Sequence, residues 1–355
     1  MNLQTITKFA IFHSHEKKGG TGLVRLKDIA KACGVSAATV SRALNGLTDP
    51  AGKNTAYICQ VAKEMGYYPN AAAKTLKTSR SNNIGILYED RMDHEYFSSL
   101  LNELRFATEE RGYDLTFFRR FAESDAGSYY ERARRRNLDG ALVIQADFNS
   151  ADVMRLAAGS IPTVVIDHAY EGCDCVMCDN RESMEQIVQT VAAKGHQRIA
   201  FIRGEDSTVT RERTDGFYKG CAELGIRVPT EYMPQSHFHD PAACALAVEK
   251  LMACGEVPTC ILCPDDFSCL GALSVLARKG LQVPRDISLI GYDGIRMTQM
   301  THPRLTTYRQ DTQAIAREAV KLLLDAVENP EGHQPRQITV SGAFIEGETL
   351  GPAKA

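Results

Sequence analysis

The residues best suited to chemistry lie between Ser36 and Leu47. On a helix, Val40, Ala43, Leu44 and Leu47 share one side, which leaves Ala37, Ala38, Ser41, Arg42 and Asn45 on the other. That second face is small and polar, and it suits the edges of base pairs. Arg42 can fork two hydrogen bonds onto a guanine, Asn45 can reach a base or a phosphate, and the Ala37 and Ala38 methyls can pack on a thymine methyl.

Other reactive groupings are weaker. Lys17-Lys18-Gly19-Gly20-Thr21-Gly22 has the composition of a phosphate loop but lacks the Gly-Lys-Ser/Thr ending and a preceding strand. Cys173, Cys175 and Cys178 are spaced like soft-metal ligands, with Cys254, Cys260, Cys263 and Cys269 as possible complements. Cys175 to Cys178 nevertheless reads as a strand, where buried thiols are ordinary core residues. His237 and His239 flank Phe238 beside Asp240, and border a pocket more readily than they hold a metal. No Gly-x-Ser-x-Gly elbow, His-Glu-x-x-His pair or complete nucleotide loop is present, so neither enzyme, metal nor cofactor is expected.

Charge is unevenly placed along the 355 residues. The net charge is −3, yet Leu23 to Arg80 carries nine Lys or Arg against three acids, while the remainder is strongly acidic. A basic module masked by an acidic body fits phosphate contact by the N-terminal part. Eleven scattered cysteines and the lack of a signal core or an 18-residue apolar run point to a reducing cytoplasm.

The elements that must position the reading face follow from periodicity. Leu26, Ile29, Ala30 and Cys33 fall at i, i+3, i+4 and i+7, Gly34 ends that helix, and Ser36 caps the next. Two short helices about a tight Gly turn make a helix-turn-helix, and a third from Asn54 to Met65 closes a small core. Beyond it, apolar runs at Ile84–Tyr88, Leu115–Phe118, Ala141–Ile144, Thr163–Ile166, Ile199–Ile202, Cys260–Cys263 and Ile287–Ile290 alternate with helical stretches. That alternation predicts an α/β core of doubly wound parallel sheets, and its length predicts two subdomains with a cleft between them. One further strand is expected between Thr339 and Leu350, with no leucine heptad after it.

VRLKDIAKACGVSAATVSRALNG followed by MGYYPNAAAKTLKT resembles the headpiece and hinge of the lactose-repressor/galactose-repressor family. The resemblance continues through CDNRESM, KGHQRIAFIRG, RTDGF, PDDFSCLGAL, GLQVPRDISLIGYDG and PRLTTYRQ, which are similar to that family's periplasmic-binding-protein-like core. It implies DNA contacts from Arg25, Ser36, Ala37, Ala38, Thr39, Ser41, Arg42 and Asn45, and from a hinge helix containing Asn70, Ala73, Leu76 and Lys77 that folds on DNA. It also implies an effector between the subdomains, touched by Arg213, Asp266, Asp293 and Gln310, with Phe238 as a covering ring and Phe97 and Asp167 lining the pocket. Two features depart from the family pattern: Arg25 stands where relatives place a threonine cap, and Leu47 to Lys53 differs from the usual form.

The expected organisation is a tail over 1–22, a headpiece over 23–68, a hinge and linker over 69–82, and an effector-binding and dimerisation core over 83–355. The expected partners are near-palindromic operator DNA, a second copy of the chain and a small molecule, a sugar by preference and a nucleobase or other non-sugar metabolite as the alternative. Sequence alone does not give the sign of regulation.

Overall fold

The structure is a computed structural model describing residues 24–44, 46, 55–68, 80–89, 93–118 and 127–354. The chain divides into two compact units, one ending at Ser79 and the other starting at Arg80.

The first unit contains α1 (Leu26–Cys33), α2 (Ala37–Leu44) and α3 (Thr55–Glu64). Their apolar faces meet in a small core of Ile29, Ala30, Val40, Ala43, Ile58 and Ala62. Gly34 takes φ 68° after α1, a left-handed conformation that costs a glycine little, and its N–H bonds to the Ala30 carbonyl. Val35 donates to the same carbonyl at 3.0 Å, which sharpens the turn. Ser36 Oγ then accepts the Thr39 N–H at 3.1 Å, the N-cap bond that lets α2 start. Arg25 supplies no such cap to α1, but Asp28 reaches back to its N–H at 2.8 Å and sits favourably in the first turn.

The second unit holds two sheets. The first has the order β10-β5-β4-β3-β1-β2, made from β1 (Asn83–Tyr88), β2 (Asp114–Phe117), β3 (Gly140–Ile144), β4 (Thr163–Ile166), β5 (Asp174–Cys178) and β10 (Gln337–Val340). Every pairing in it is parallel. The inner strands β1, β3, β4 and β5 are buried runs covered on both faces, as parallel sheets require, while the edge strands β2 and β10 are partly exposed. On one face pack α4 (Glu95–Glu109) and α12 (Thr312–Glu328), through Leu100, Leu104, Ile315, Ala319 and Leu323. On the other lie α5 (Tyr129–Arg135) and α6 (Ala151–Ala157), through Ala133, Val153 and Leu156.

The second sheet has the order β11-β9-β8-β7-β6, from β6 (Ile199–Phe201), β7 (Cys260–Leu262), β8 (Ser288–Asp293), β9 (Thr306–Arg309) and β11 (Ala343–Ile345). Only β11 runs antiparallel to its neighbour. α7 (Asn180–Ala193) and α8 (Thr208–Glu223) cover one face, and α9 (Pro241–Leu251) and α10 (Asp266–Arg278) cover the other. A short α11 (Arg296–Gln299) follows β8.

The C-terminal segment differs from the single strand expected after Thr339. Thr339 lies inside β10, on the first sheet, and β11, which starts three residues after Val340, joins the second. The segment therefore passes between sheets instead of extending one. The chain makes the same passage after β5 at Asp179 and after β9 at Gln310. The end of the expected linker is tied to the core, because the Ser81 and Asn82 amides donate to Asp139 at 2.9 and 2.8 Å. Among the described residues no helix is long and apolar enough to cross a membrane.

Candidate effector cleft and nucleic-acid interface

On α2 the apolar side is spent on the headpiece core, which leaves Ala38 and Arg42 exposed and Ala37, Thr39 and Ser41 part-exposed. Ser36, before the helix, is exposed and its hydroxyl lies 2.9 Å from that of Thr39. Arg25 is exposed at the start of α1. These seven residues form a polar, small-volume surface with two guanidiniums, those of Arg25 and Arg42, a composition that fits a major groove. Asn45, Asn70, Ala73, Leu76 and Lys77 lie outside the described residues.

In the second unit a cleft of about 310 Å³ opens between the two sheets. Its walls come from the carboxyl ends of parallel strands, where the chain turns away and exposes side chains and backbone to a ligand. Gln145 follows β3, Asp167 follows β4, Asp293 ends β8 and Gln310 follows β9, and all four line the cleft. Gln145, Asp167 and Asp293 hold φ of 43°, 66° and 104°, conformations that non-glycine residues adopt at a cost.

The polar floor is a connected chain. Tyr96 Oη donates to Gln310 Oε1 at 3.4 Å, and Gln310 Nε2 donates to Asp293 Oδ1 at 2.7 Å. Arg213, buried on α8, donates Nε to Asn180 Oδ1 at 2.9 Å and Nη1 to the Pro264 carbonyl at 3.0 Å. Its guanidinium lies 3.4 Å from the centre of the Tyr292 ring and 5.6 Å from that of Phe238. Phe238 packs where a side chain on Gly204 would stand 2.4 Å from its ring, so only glycine lets the ring reach the cleft.

Electrostatics in this floor are strained. Burial pushes the Asp293 carboxyl up to about 7 although His239 and Arg213 oppose the shift. Burial likewise raises Asp167 to about 6 against Arg213 and a backbone N–H of Cys178. Desolvation is the leading cause in both, so a ligand that donates to the ionised forms would recover part of that cost.

Contacts also cross the cleft. The His94 and His239 rings stack at 3.7 Å, and the His239 N–H donates to Asp265 Oδ2 at 2.8 Å. His168 Nδ1 lies 2.7 Å from Thr208 Oγ1, and its ring stacks on Phe148 at 4.6 Å. His239, Asp265 and Asp293 are the one group among the described residues whose possible metal-ligating atoms lie within 4.8 Å of one another. Asp265 is already engaged there, since Oδ1 and Oδ2 also accept from Ser268.

Of the seven core residues expected at the pocket, Asp167, Arg213, Phe238, Asp293 and Gln310 line the cleft together. Phe97 does not, because α4 turns it inward to stack on Tyr88 at 3.7 Å, and the preceding Tyr96 faces the cleft instead. Asp266 does not either, because its carboxylate is consumed behind the wall by Thr307 Oγ1 at 2.6 Å, the Ile295 N–H at 2.8 Å and Thr298 Oγ1 at 3.3 Å. The sequence reading missed Tyr96, Gln145, Asp147, Phe148 and His168. Their only signal was position, just after a strand or at a helix start, and no residue pattern marks that as a ligand wall.

Two family models match the chain: that of the lacI family of bacterial regulatory proteins over residues 25–70, and that of the periplasmic binding protein-like domain over residues 188–350. The chain thus carries a lacI-family domain of bacterial regulatory proteins followed by a periplasmic binding protein-like domain. It is 28% identical over 339 residues to an HTH-type transcriptional repressor, PurR, of Vibrio cholerae serotype O1 (strain M66-2), covering 92% of this chain and 98% of that one. The solved structure of the lac repressor dimer bound to operator and the anti-inducer ONPF aligns with a TM-score of 0.81 at 21% identity, covering 93% of this chain and 100% of that one. A transcriptional regulator CelR–cellobiose complex aligns with a TM-score of 0.69 at 22% identity, covering 92% and 99%. At such identities the two structures speak for the fold.

Proposed function

We propose that the protein is a repressor that binds a near-palindromic operator as a homodimer through the α2 face and a hinge helix, and that a sugar in the cleft sets its affinity for DNA. The observation that carries the effector reading is the convergence of Asp167, Arg213, Phe238, Asp293 and Gln310 on one cleft between the sheets. Carboxylates and an amide accept from hydroxyl groups, a guanidinium donates to their oxygens, and a ring covers the C–H face of a pyranose. The cellobiose complex of one structural neighbour and the bound ribose of another, a lacI-family regulator from Enterococcus faecium, support a sugar.

Linkage supplies the regulation. A ligand that prefers one arrangement of the subdomains shifts the population toward it, and so favours or disfavours the paired hinge helices. A dimer follows from interface size, since one small headpiece buries too little surface for tight specific binding, and from the operator-bound lac repressor dimer.

A nucleobase is the second reading, favoured by the flat Phe148–His168 pair and by the likeness to PurR. Thermal unfolding of the purified protein against sugars and nucleobases separates the two, because ligand at 100 times its Kd adds about 2.7 kcal/mol. A shift with a sugar that disappears in Arg213→Ala supports the first reading. A shift with nucleobases alone replaces it with the second.

A further inference from the structure

The effector reading of the cleft, on which this inference rests, leaves the charge of the ligand open, and two features of the wall address it. Gln145 Oε1 and Asp167 Oδ1 are buried and have no hydrogen-bond partner among the described protein atoms. Both residues line the cleft just past the ends of the neighbouring strands β3 and β4. Each atom is an acceptor, and a buried acceptor left without a donor is unfavourable. The complementary ligand brings donors to both.

Charge narrows the choice further. Carboxylates of Asp147, Asp167, Glu205, Asp206 and Asp293 face the cleft against the guanidiniums of Arg211 and Arg213. Arg211 is paired with Asp206 at 3.5 Å, and Arg213 sits between two buried carboxylates while holding Asn180 and Pro264. His168 is kept neutral near pH 7 by its burial and by Arg211. An anionic ligand would lose its hydration beside Asp167 and Asp293, while the cations of the wall that could offset it, Arg211, Arg213 and a protonated His239, are already shared with Asp206, with Asn180 and Pro264, and with Asp265.

We infer that the cleft selects an uncharged polyol, a sugar bearing neither carboxylate nor phosphate, whose hydroxyls donate to Gln145 Oε1 and Asp167 Oδ1. Discrimination against anions is then a property of the site, and Gln145 becomes a specificity-determining residue.

The test is calorimetric titration of the full chain with neutral hexoses, pentoses and disaccharides, each beside its own uronic acid and phosphate ester, with adenine, guanine and hypoxanthine included. The neutral member of one family should bind about 100-fold tighter than its charged derivatives. Asp167→Asn and Gln145→Asn suit the left-handed backbone at both positions, and each should weaken the neutral sugar about 10-fold. Asp167→Asn should also narrow the gap to the uronic acid, which a merely structural defect would not do. A uronic acid or phosphate ester that binds as well as its parent overturns the inference and leaves the effector reading intact, as does binding of a nucleobase alone. Heat from none of these compounds overturns both.

Discussion

Tyr308 Oη donates to Asp179 Oδ2 at 2.8 Å and accepts the Gly342 N–H at 3.1 Å. Asp179 lies at the first passage of the chain between the sheets, Gly342 at the last, and Tyr308 on β9 just before the middle one. One phenol on the strand before the middle passage thus ties the first passage to the last, and the Asp179 N–H adds a bond to the Val340 carbonyl at 3.2 Å. Tyr308→Phe should leave the buried Asp179 Oδ2 without its donor and the Gly342 N–H with only its 3.4 Å bond to Asp179 Oδ1, and cost about 1–3 kcal/mol. Urea unfolding checks this: the midpoint should fall with the slope unchanged. An unchanged midpoint would show that the passages hold without the phenol.

The headpiece prediction concerns Arg42. If this exposed guanidinium reads a base edge, Arg42→Ala should lose roughly 1–3 kcal/mol on operator DNA and relax discrimination at one base pair. Binding should be measured at fixed salt on operator and on random duplex. Equal losses on the two would mean that Arg42 contacts phosphate only.

The raised carboxyls give a pH prediction for the ligand-free protein. Asp293 titrates at about 7 and Asp167 at about 6 in the fold, against an ordinary aspartate value of 3.8. The folded state therefore binds more protons than the unfolded chain between those values, so the stability they contribute is full below about pH 4 and falls as pH rises toward 7. Asp293→Asn should flatten the decline of Tm between pH 5 and 8. A slope identical to that of the parent protein would assign the pH dependence to other groups.

Asp266 and Asp293 should separate into structure and binding. Asp266→Ala removes the acceptor of the Ile295 N–H and two threonine hydroxyls, and should cost about 2–4 kcal/mol of stability. Ligand affinity of the folded variant should stay within about threefold. Asp293→Ala should do the opposite, abolishing ligand binding while costing less stability, because the side-chain bond it removes is that from Gln310 Nε2, whereas Asp266 accepts from three groups. Loss of binding in the Asp266 variant at a temperature where it is fully folded would return that residue to the site.

The sequence by itself determined the headpiece and the class of the core. The i, i+3, i+4 spacing in α1 and α2, the Gly34 turn and the Ser36 cap are local physics, complete within a few residues. So is the alternation of apolar runs with helices, which requires parallel sheets whatever the rest of the chain does. Five of the seven residues that the family resemblance implied for the pocket line the cleft, because motifs such as RTDGF and GYDG carry that resemblance residue by residue.

Tertiary structure decided what local pattern cannot carry. Tyr96 and Phe97 are adjacent aromatics on one helix, and only the packing of α4 against the first sheet turns one to the cleft and the other onto Tyr88. Asp265 and Asp266 are adjacent carboxylates, and only β9 and α11, distant in sequence, consume the second. The two strands near the C-terminus were indistinguishable from one run until their partners in different sheets were present. Facing direction and strand pairing depend on residues far along the chain, and a sequence read locally does not contain them.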